Sequence, residues 1–162
     1  MKTKLHWTQG LFSEVYCIFD SDKQIGFIRK TFFSQKSIAE IKDEKYVFQE
    51  RGFFRQEIDI VDTSKNKVIG KIKYNSWKNK TFIGVNNETL TWQLKNFWGT
   101  KWLLHNSKGV NVVCRSSSSK GEIETNENDA INLILGLYVY NYYTQILMFC
   151  ILCMIIIGYS RR

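Results

Sequence analysis

Hydrophobic and polar residues alternate with a period of two from Lys4 to about Val113. Successive side chains of a β-strand point to opposite faces, so this period predicts strands with one buried and one solvated face. Turn-forming stretches such as DSDK at 20–23 interrupt the period at intervals of roughly ten residues, which is typical of a sandwich or a barrel. We assign residues 1–114 to this β region, with strands predicted at 12–19, 24–33, 53–61, 67–75, 81–85, 89–97, 101–105 and 110–114.

The chain changes character after Cys114. Residues 115–129 are polar, with four consecutive serines, and predict a polar loop or a weak hairpin. Asp129 is a candidate N-cap, and the 31 residues from Ala130 to Ser160 contain no charged side chain. A helix over 130–160 would be about 45 Å long against the ~30 Å hydrocarbon core of a bilayer, so its length permits membrane crossing without requiring it.

The two halves of this helix differ in composition. The first, AINLILGLYVYNYYTQ, mixes apolar residues with asparagine, threonine, glutamine and four tyrosines, whereas the second, ILMFCILCMIIIGY, is almost purely aliphatic. A helix that is apolar on all sides is buried on all sides, either in protein or in lipid. We expect the β domain to enclose the first half and the second half to reach lipid. The alternative is a simple tail anchor on a cytoplasmic β domain.

The net charge and the N-terminal sequence indicate which partners and which location to expect. The chain has 23 Lys and Arg against 15 Asp and Glu, a net charge of +8, which favours anionic partners such as lipid headgroups, phosphates or nucleic acid. The first ten residues run into polar and charged positions without the apolar stretch of a secretory signal, so we expect no export by a cleaved signal. The expected location is the cytoplasmic face of a membrane, or a membrane in which the C-terminal helix anchors the protein. We expect the four scattered cysteines to be reduced and mostly buried.

Several segments resemble a known family. Residues 68–87, VIGKIKYNSWKNKTFIGVNN, resemble the tubby C-terminal domains, and GFFRQEIDIVDTSKNKVIG, TLTWQLKN, KWLLHN and the late LGLY are similar to the wider group that includes the LURP-one-related proteins and the phospholipid scramblases. The resemblance implies a closed antiparallel barrel of about twelve strands with a hydrophobic C-terminal helix through or beside it. The absence of proline from the chain allows such a closed sheet.

The resemblance also implies recognition of anionic phospholipid or phosphoinositide. The basic positions of the matching tubby segment correspond to Lys71 and Lys73, and Lys78 and Lys80 extend the patch. Along the strand at 67–75 we expect Val68, Gly70, Ile72 and Tyr74 to face the core and the lysines to face solvent. Two cations about 7 Å apart on one strand face suit a phosphate-bearing headgroup, although lysines on an outward face are ordinarily only solvated. Calcium-driven scrambling is not expected.

The sequence offers little chemistry for catalysis. His6 and His105 belong to no metal-binding motif, and no phosphate-binding or nucleophile motif occurs. Glu57 and Asp59 share one face of a predicted strand, where we expect them to be partners of nearby lysines. We therefore expect a protein that is not an enzyme and has no metal site and no cofactor.

Two further functions stay open at this point. A β domain on a membrane anchor can serve as a protein-interaction module, with a protein partner beside the lipid. A basic β-barrel can also bind nucleic acid through stacking aromatics, for which Trp77, Trp92, Trp98 and Trp102 are the candidates. We expect these tryptophans to pack in the core or at the barrel rim instead, because a soluble nucleic-acid binder has no use for the aliphatic residues 146–159.

Overall fold

The computed structural model is a closed barrel of twelve antiparallel strands around one long helix, as the resemblance implied. The structure describes residues 2–10, 13–30, 34–51, 57–75, 80–96, 98–109, 111–117, 119–126 and 130–160. The elements are β1 (Thr3–Gln9), β2 (Val15–Asp20), β3 (Lys23–Lys30), β4 (Lys36–Ile41), β5 (Glu44–Arg51), β6 (Glu57–Asp62), β7 (Lys67–Asn75), β8 (Lys80–Val85), β9 (Glu88–Leu94), β10 (Lys101–His105), β11 (Asn111–Ser116), β12 (Lys120–Thr125) and α1 (Ala130–Ser160).

Each strand pairs with its sequence neighbours, and β1 pairs with β12 to close the sheet. Closure leaves no unpaired edge, so every strand can use its backbone hydrogen-bonding groups in the sheet. At one end the strands are joined by short turns such as Lys42–Asp43 and Asn86–Asn87, in which both residues have positive φ, the conformation of a tight hairpin turn. That end, which α1 enters after β12, is called the entrance end here, and the opposite end is called the exit end.

The inward residues of the strands and the first half of α1 form one core. Inward positions alternate with outward ones along nearly every strand, which explains the period of two in the sequence. Large side chains fill the space between sheet and helix, and the largest that are fully buried include Trp7, Phe48, Trp92, Trp102 and Tyr138. The barrel is therefore a packed body with a helix as its centre.

Residues 115–129 were predicted to be a polar loop or a weak hairpin, and they are not only a loop. Residues 120–125 form β12, which pairs with β11 on one side and with β1 on the other. Ending the strands at Cys114 was therefore wrong, and the hairpin of β11 and β12 completes the barrel. The hydrophobic pattern is weak here because Gly121 occupies an inward position. A Cβ atom at Gly121 would collide with the indole of Trp7.

The face assigned to Val68 was also wrong. The register between β6 and β7 shifts between Ile60 and Val61, so β7 contains an irregularity near its start. Beyond it, Ile72 is fully buried as expected, whereas Val68 is 45% exposed. The candidate N-cap Asp129 lies outside the described residues.

Candidate functional site: the exit end of the barrel

The helix α1 has two halves with opposite surroundings. Every residue from Ala130 to Asn141 is buried inside the barrel. Residues 142–145 are half-buried at the exit end, and residues 146–160 project beyond it, all of them exposed except the half-buried Cys153. Phe149, Leu152 and Ile156, for example, are 69%, 58% and 57% exposed. One apolar helix therefore serves as protein core and then as an uncovered apolar surface.

The enclosed half is fixed by close contacts with the strands. The Nε1 of Trp92 donates a hydrogen bond to the carbonyl oxygen of Gly136 at 3.1 Å. The ring of Tyr138 stacks on that of Phe48, with centroids 4.1 Å apart. A glycine is required at 136, because a Cβ atom there would collide with the buried indole of Trp102. These contacts set both the depth and the rotation of α1 in the barrel.

A layer of polar contacts surrounds α1 where it leaves the barrel. The hydroxyl of Tyr16 donates to Oδ1 of Asn141 at 3.2 Å. The hydroxyl oxygens of Thr81 and Tyr143 lie 3.1 Å apart, and Tyr143 also donates to the carbonyl oxygen of Lys80 at 3.2 Å. Burial raises the pKa of Tyr16 to about 12, so this phenol is neutral at physiological pH. The helix thus changes from core to exposed surface within a polar, tyrosine-rich layer.

A buried ion pair lies inside this layer. The Nζ of Lys30 is 3.2 Å from Oε1 of Glu50, and both side chains are almost fully buried. The Lys30 ammonium also lies 5.6 Å from the ring centre of Tyr138. A charge is buried in protein only when it is paired, so the pair holds β3 and β5 against the helix at this level. This ion pair was not predicted, because neither Lys30 nor Glu50 stands out in the hydrophobic pattern of the sequence.

The lysines proposed for lipid binding lie in two places. Lys71 and Lys73 are on the outward face of β7, where Lys71 is 3.9 Å from the buried Asp59 and Lys73 is 3.2 Å from Glu57. Both carboxylates have a lysine partner, as expected, but Asp59 is buried and its nearer cation is Arg51, at 2.5 Å. These carboxylates offset much of the positive charge on this face. Lys80 is half-buried and begins β8 at the exit end, and Lys78 lies outside the described residues.

The other candidate residues have structural surroundings. His6 stacks on Phe19, and within the described ranges no group of three or more His, Cys, Asp or Glu side chains is placed to hold a metal ion. Trp92 and Trp102 are buried in the core, Trp98 is 78% exposed, and Trp77 lies outside the described residues. The cysteines were expected to be mostly buried, which is wrong, because only Cys114 is buried, while Cys17 and Cys153 are half-buried and Cys150 is exposed.

Comparison with known protein families, curated proteins and solved structures finds no match to this chain. The tubby-like resemblance therefore stays a prediction from sequence, and the twelve-stranded barrel with its central helix stands on the structure alone.

Proposed function

We propose that this protein is a non-enzymatic, membrane-anchored barrel that recognises anionic lipid. The observation that carries the proposal is the run of exposed apolar residues at 146–160, which continues a helix whose first twelve residues are locked in the barrel. By length and composition the whole of α1 is long and apolar enough to cross a membrane, but the barrel encloses its first twelve residues, so residues 146–160 are the part that enters lipid. A continuous apolar surface of this size on a water-soluble protein indicates contact with lipid or with a partner protein.

The energetics favour lipid for this segment. Residues 146–160 contain eight Ile, Leu and Phe residues, which together contribute roughly 2–5 kcal/mol to insertion at ~0.3–0.6 kcal/mol each. The segment itself has no charged side chain and is helical throughout, which suits a bilayer interior. The last four carbonyl groups of α1 have no partner within the helix, and Arg161 and Arg162 follow in the sequence, so this end of the segment must reach a polar layer.

The barrel itself has the surface of a protein that stays in water. Its interior is apolar and filled by α1, while its outward faces carry charged residues such as Arg51, Lys71 and Lys73. A barrel that crosses a membrane has the opposite arrangement, an apolar band outside and a polar lumen. We place this barrel on the cytoplasmic side, because the anionic lipids of that leaflet attract residues 1–129, which carry 21 basic and 15 acidic groups, a net charge of +6.

The test compares the two halves of α1 in the full chain. Leu147→Gln, Leu152→Gln and Ile156→Gln together place three polar groups in the exposed half, at side chains that are 51%, 58% and 57% exposed. We expect this segment variant to keep its fold by circular dichroism but to lose flotation with purified phosphatidylcholine vesicles. The matched change in the buried half, Leu133→Gln with Leu137→Gln, is expected to abolish the fold.

An apolar helix can bind lipid or a partner protein. Vesicles of purified lipid distinguish the two, because they contain no protein. If the unmodified chain does not float with vesicles but binds a protein through 146–160, the barrel is a protein-interaction module and the membrane proposal is wrong. Equal flotation of the unmodified chain and the segment variant would also contradict it.

A further inference from the structure

Charge is distributed unevenly between the two ends of the barrel. Each described charged residue before α1 belongs to the end of the barrel that is nearer to it along its own strand or connection. The exit end then has 10 basic and 5 acidic residues, and the entrance end has 8 of each, with Lys71 at the midpoint of β7. The net charges are +5 and zero. The positive end is the one from which the apolar half of α1 projects.

The excess at the exit end comes from lysines at the ends of strands. We define the exit rim as Lys36, Lys80, Lys95, Lys101, Lys120 and Trp98. Four of its lysines are the first residues of β4, β8, β10 and β12, and the fifth follows β9 directly. All are exposed except the half-buried Lys80, and none forms an ion pair with a carboxylate of the described ranges. These cations, unlike Lys71 and Lys73, are free to meet an external anion.

An exposed tryptophan lies at the same end of the barrel. Trp98, on the connection between β9 and β10, is 78% exposed. Tryptophan and lysine favour the membrane interface, where an apolar body and a polar tip are both satisfied.

The length of the projecting helix limits how far the barrel can stand from the membrane. Residues 146–160 extend about 22 Å, against ~30 Å for the hydrocarbon core of a bilayer. The segment is fully surrounded by lipid only if the exit end lies at the headgroup layer. An orientation with β7 facing the bilayer would leave part of the segment in water.

We propose that the exit rim is the lipid-contact surface of this protein: its five lysines bind the headgroups of an anionic bilayer and Trp98 lies at the interface. The barrel then stands end-on, with the entrance end turned to the cytoplasm. This inference rests on the proposed membrane anchorage, and it locates the anionic-lipid contact around the projecting helix rather than on the side of β7.

Two matched triple variants test the rim. The rim variant carries Lys36→Gln, Lys101→Gln and Lys120→Gln, and the control variant carries Lys23→Gln, Lys42→Gln and Lys67→Gln at the entrance end. All six lysines are exposed, none belongs to a described ion pair, and each triple lowers the net charge from +8 to +5. Both are made in the full-length segment variant, so that binding to vesicles containing phosphatidylserine is reversible and measurable.

The expected result is a loss of binding specific to the rim variant. At about fivefold per lysine near an anionic surface, the loss of three lysines weakens binding on the order of 100-fold in the rim variant and less than about threefold in the control. Equal losses in both variants would overturn the proposal, as would undetectable binding of the parent. A loss confined to Lys71→Gln with Lys73→Gln would place the contact on β7 and overturn it too.

Two additional measurements distinguish lipid binding by the exit rim from membrane anchorage alone and from nucleic-acid binding. Flotation of the unmodified chain with neutral vesicles tests anchorage alone, so anchorage can hold while the rim fails. Binding to a duplex RNA in the same buffer tests the other anionic polymer. If the rim lysines strengthen binding to RNA and not to vesicles, the exit rim is a nucleic-acid surface and the lipid assignment is wrong.

Discussion

The Nε1 of Trp92 donates a hydrogen bond to the carbonyl oxygen of Gly136 at 3.1 Å, from the wall of the barrel to the middle of the enclosed helix. Both groups are buried, so neither has water as an alternative partner. The indole of Trp102 packs against Gly136 from another direction and occupies the space that a Cβ atom at this position would need. The first half of α1 is thus part of the core and not a membrane segment stored in the barrel.

This contact predicts an unusual outcome for a glycine-to-alanine change. Alanine is the better helix former by about 1 kcal/mol, but its methyl at 136 overpacks the core at a cost of about 1–3 kcal/mol. The added Cβ collides with two atoms of the buried Trp102 ring, so the cost lies in the upper part of that range. We expect Gly136→Ala to lower the free energy of unfolding by about 1–2 kcal/mol net, measured by thermal denaturation in mild detergent. Gly158→Ala is the control, since nothing lies near its Cβ position, and it should cause no loss. Equal stability of the two variants would contradict the enclosed position of the helix.

The buried pair of Lys30 and Glu50 predicts a strong asymmetry between single and double variants. Lys30→Met removes the ammonium that lies 3.2 Å from the buried Glu50 carboxylate and is expected to cost about 3–5 kcal/mol in chemical denaturation. Lys30→Met with Glu50→Leu removes both charges and should recover most of the loss. Lys36→Met, at an exposed position nearby, should have an effect within about 0.5 kcal/mol. A single variant as stable as the wild type would show that the pair is not buried.

The Tyr16 phenol predicts a dependence of stability on alkaline pH. Burial raises its pKa from 10.0 to about 12, so the folded state favours the neutral phenol. Its contribution is fully present below pH 10 and is lost as the pH rises through about 12. At pH 8 we expect Tyr16→Phe to be less stable by about 1 kcal/mol, the value of one hydrogen bond, here to Asn141. The difference from wild type should shrink above pH 10 in denaturation midpoints, and a difference independent of pH would contradict the assignment.

The sequence pattern predicted α1, from 31 residues without charge, and eight of the twelve strands, and it left a sandwich or a barrel open. The closed barrel around a helix was implied by the family resemblance. The strand predictions did not include β1, β4, β5 and β12. The pattern failed at β4, where the buried inward residues include Ser37 and Ala39 while the apolar Ile38 points outward and is 50% exposed. It failed at β12, where the inward Gly121 leaves room for Trp7. In both strands the size of the available space, not hydrophobicity, selects the residue.

The candidate site was harder to predict than the fold. Lys71 and Lys73 were visible from sequence, but their pairing with Asp59 and Glu57 depends on the register of β6 and β7. Lys36 is unremarkable until the topology places the start of β4 at the end from which α1 projects. A sequence signal does exist, since four of the six even-numbered strands begin with a lysine. It acquires meaning only when the barrel is closed and the direction of the helix is known.

Amide hydrogen exchange of the full chain tests the central claim, a single helix divided between a protein core and a membrane. The segment variant without lipid is compared with the unmodified chain in phosphatidylcholine vesicles, and the strands serve as the internal reference. We expect the amides of residues 131–141 to be protected from exchange in both samples and those of residues 146–160 to be protected only in the bilayer. Rapid exchange of 131–141 without lipid, or of 146–160 within the vesicles, would contradict it.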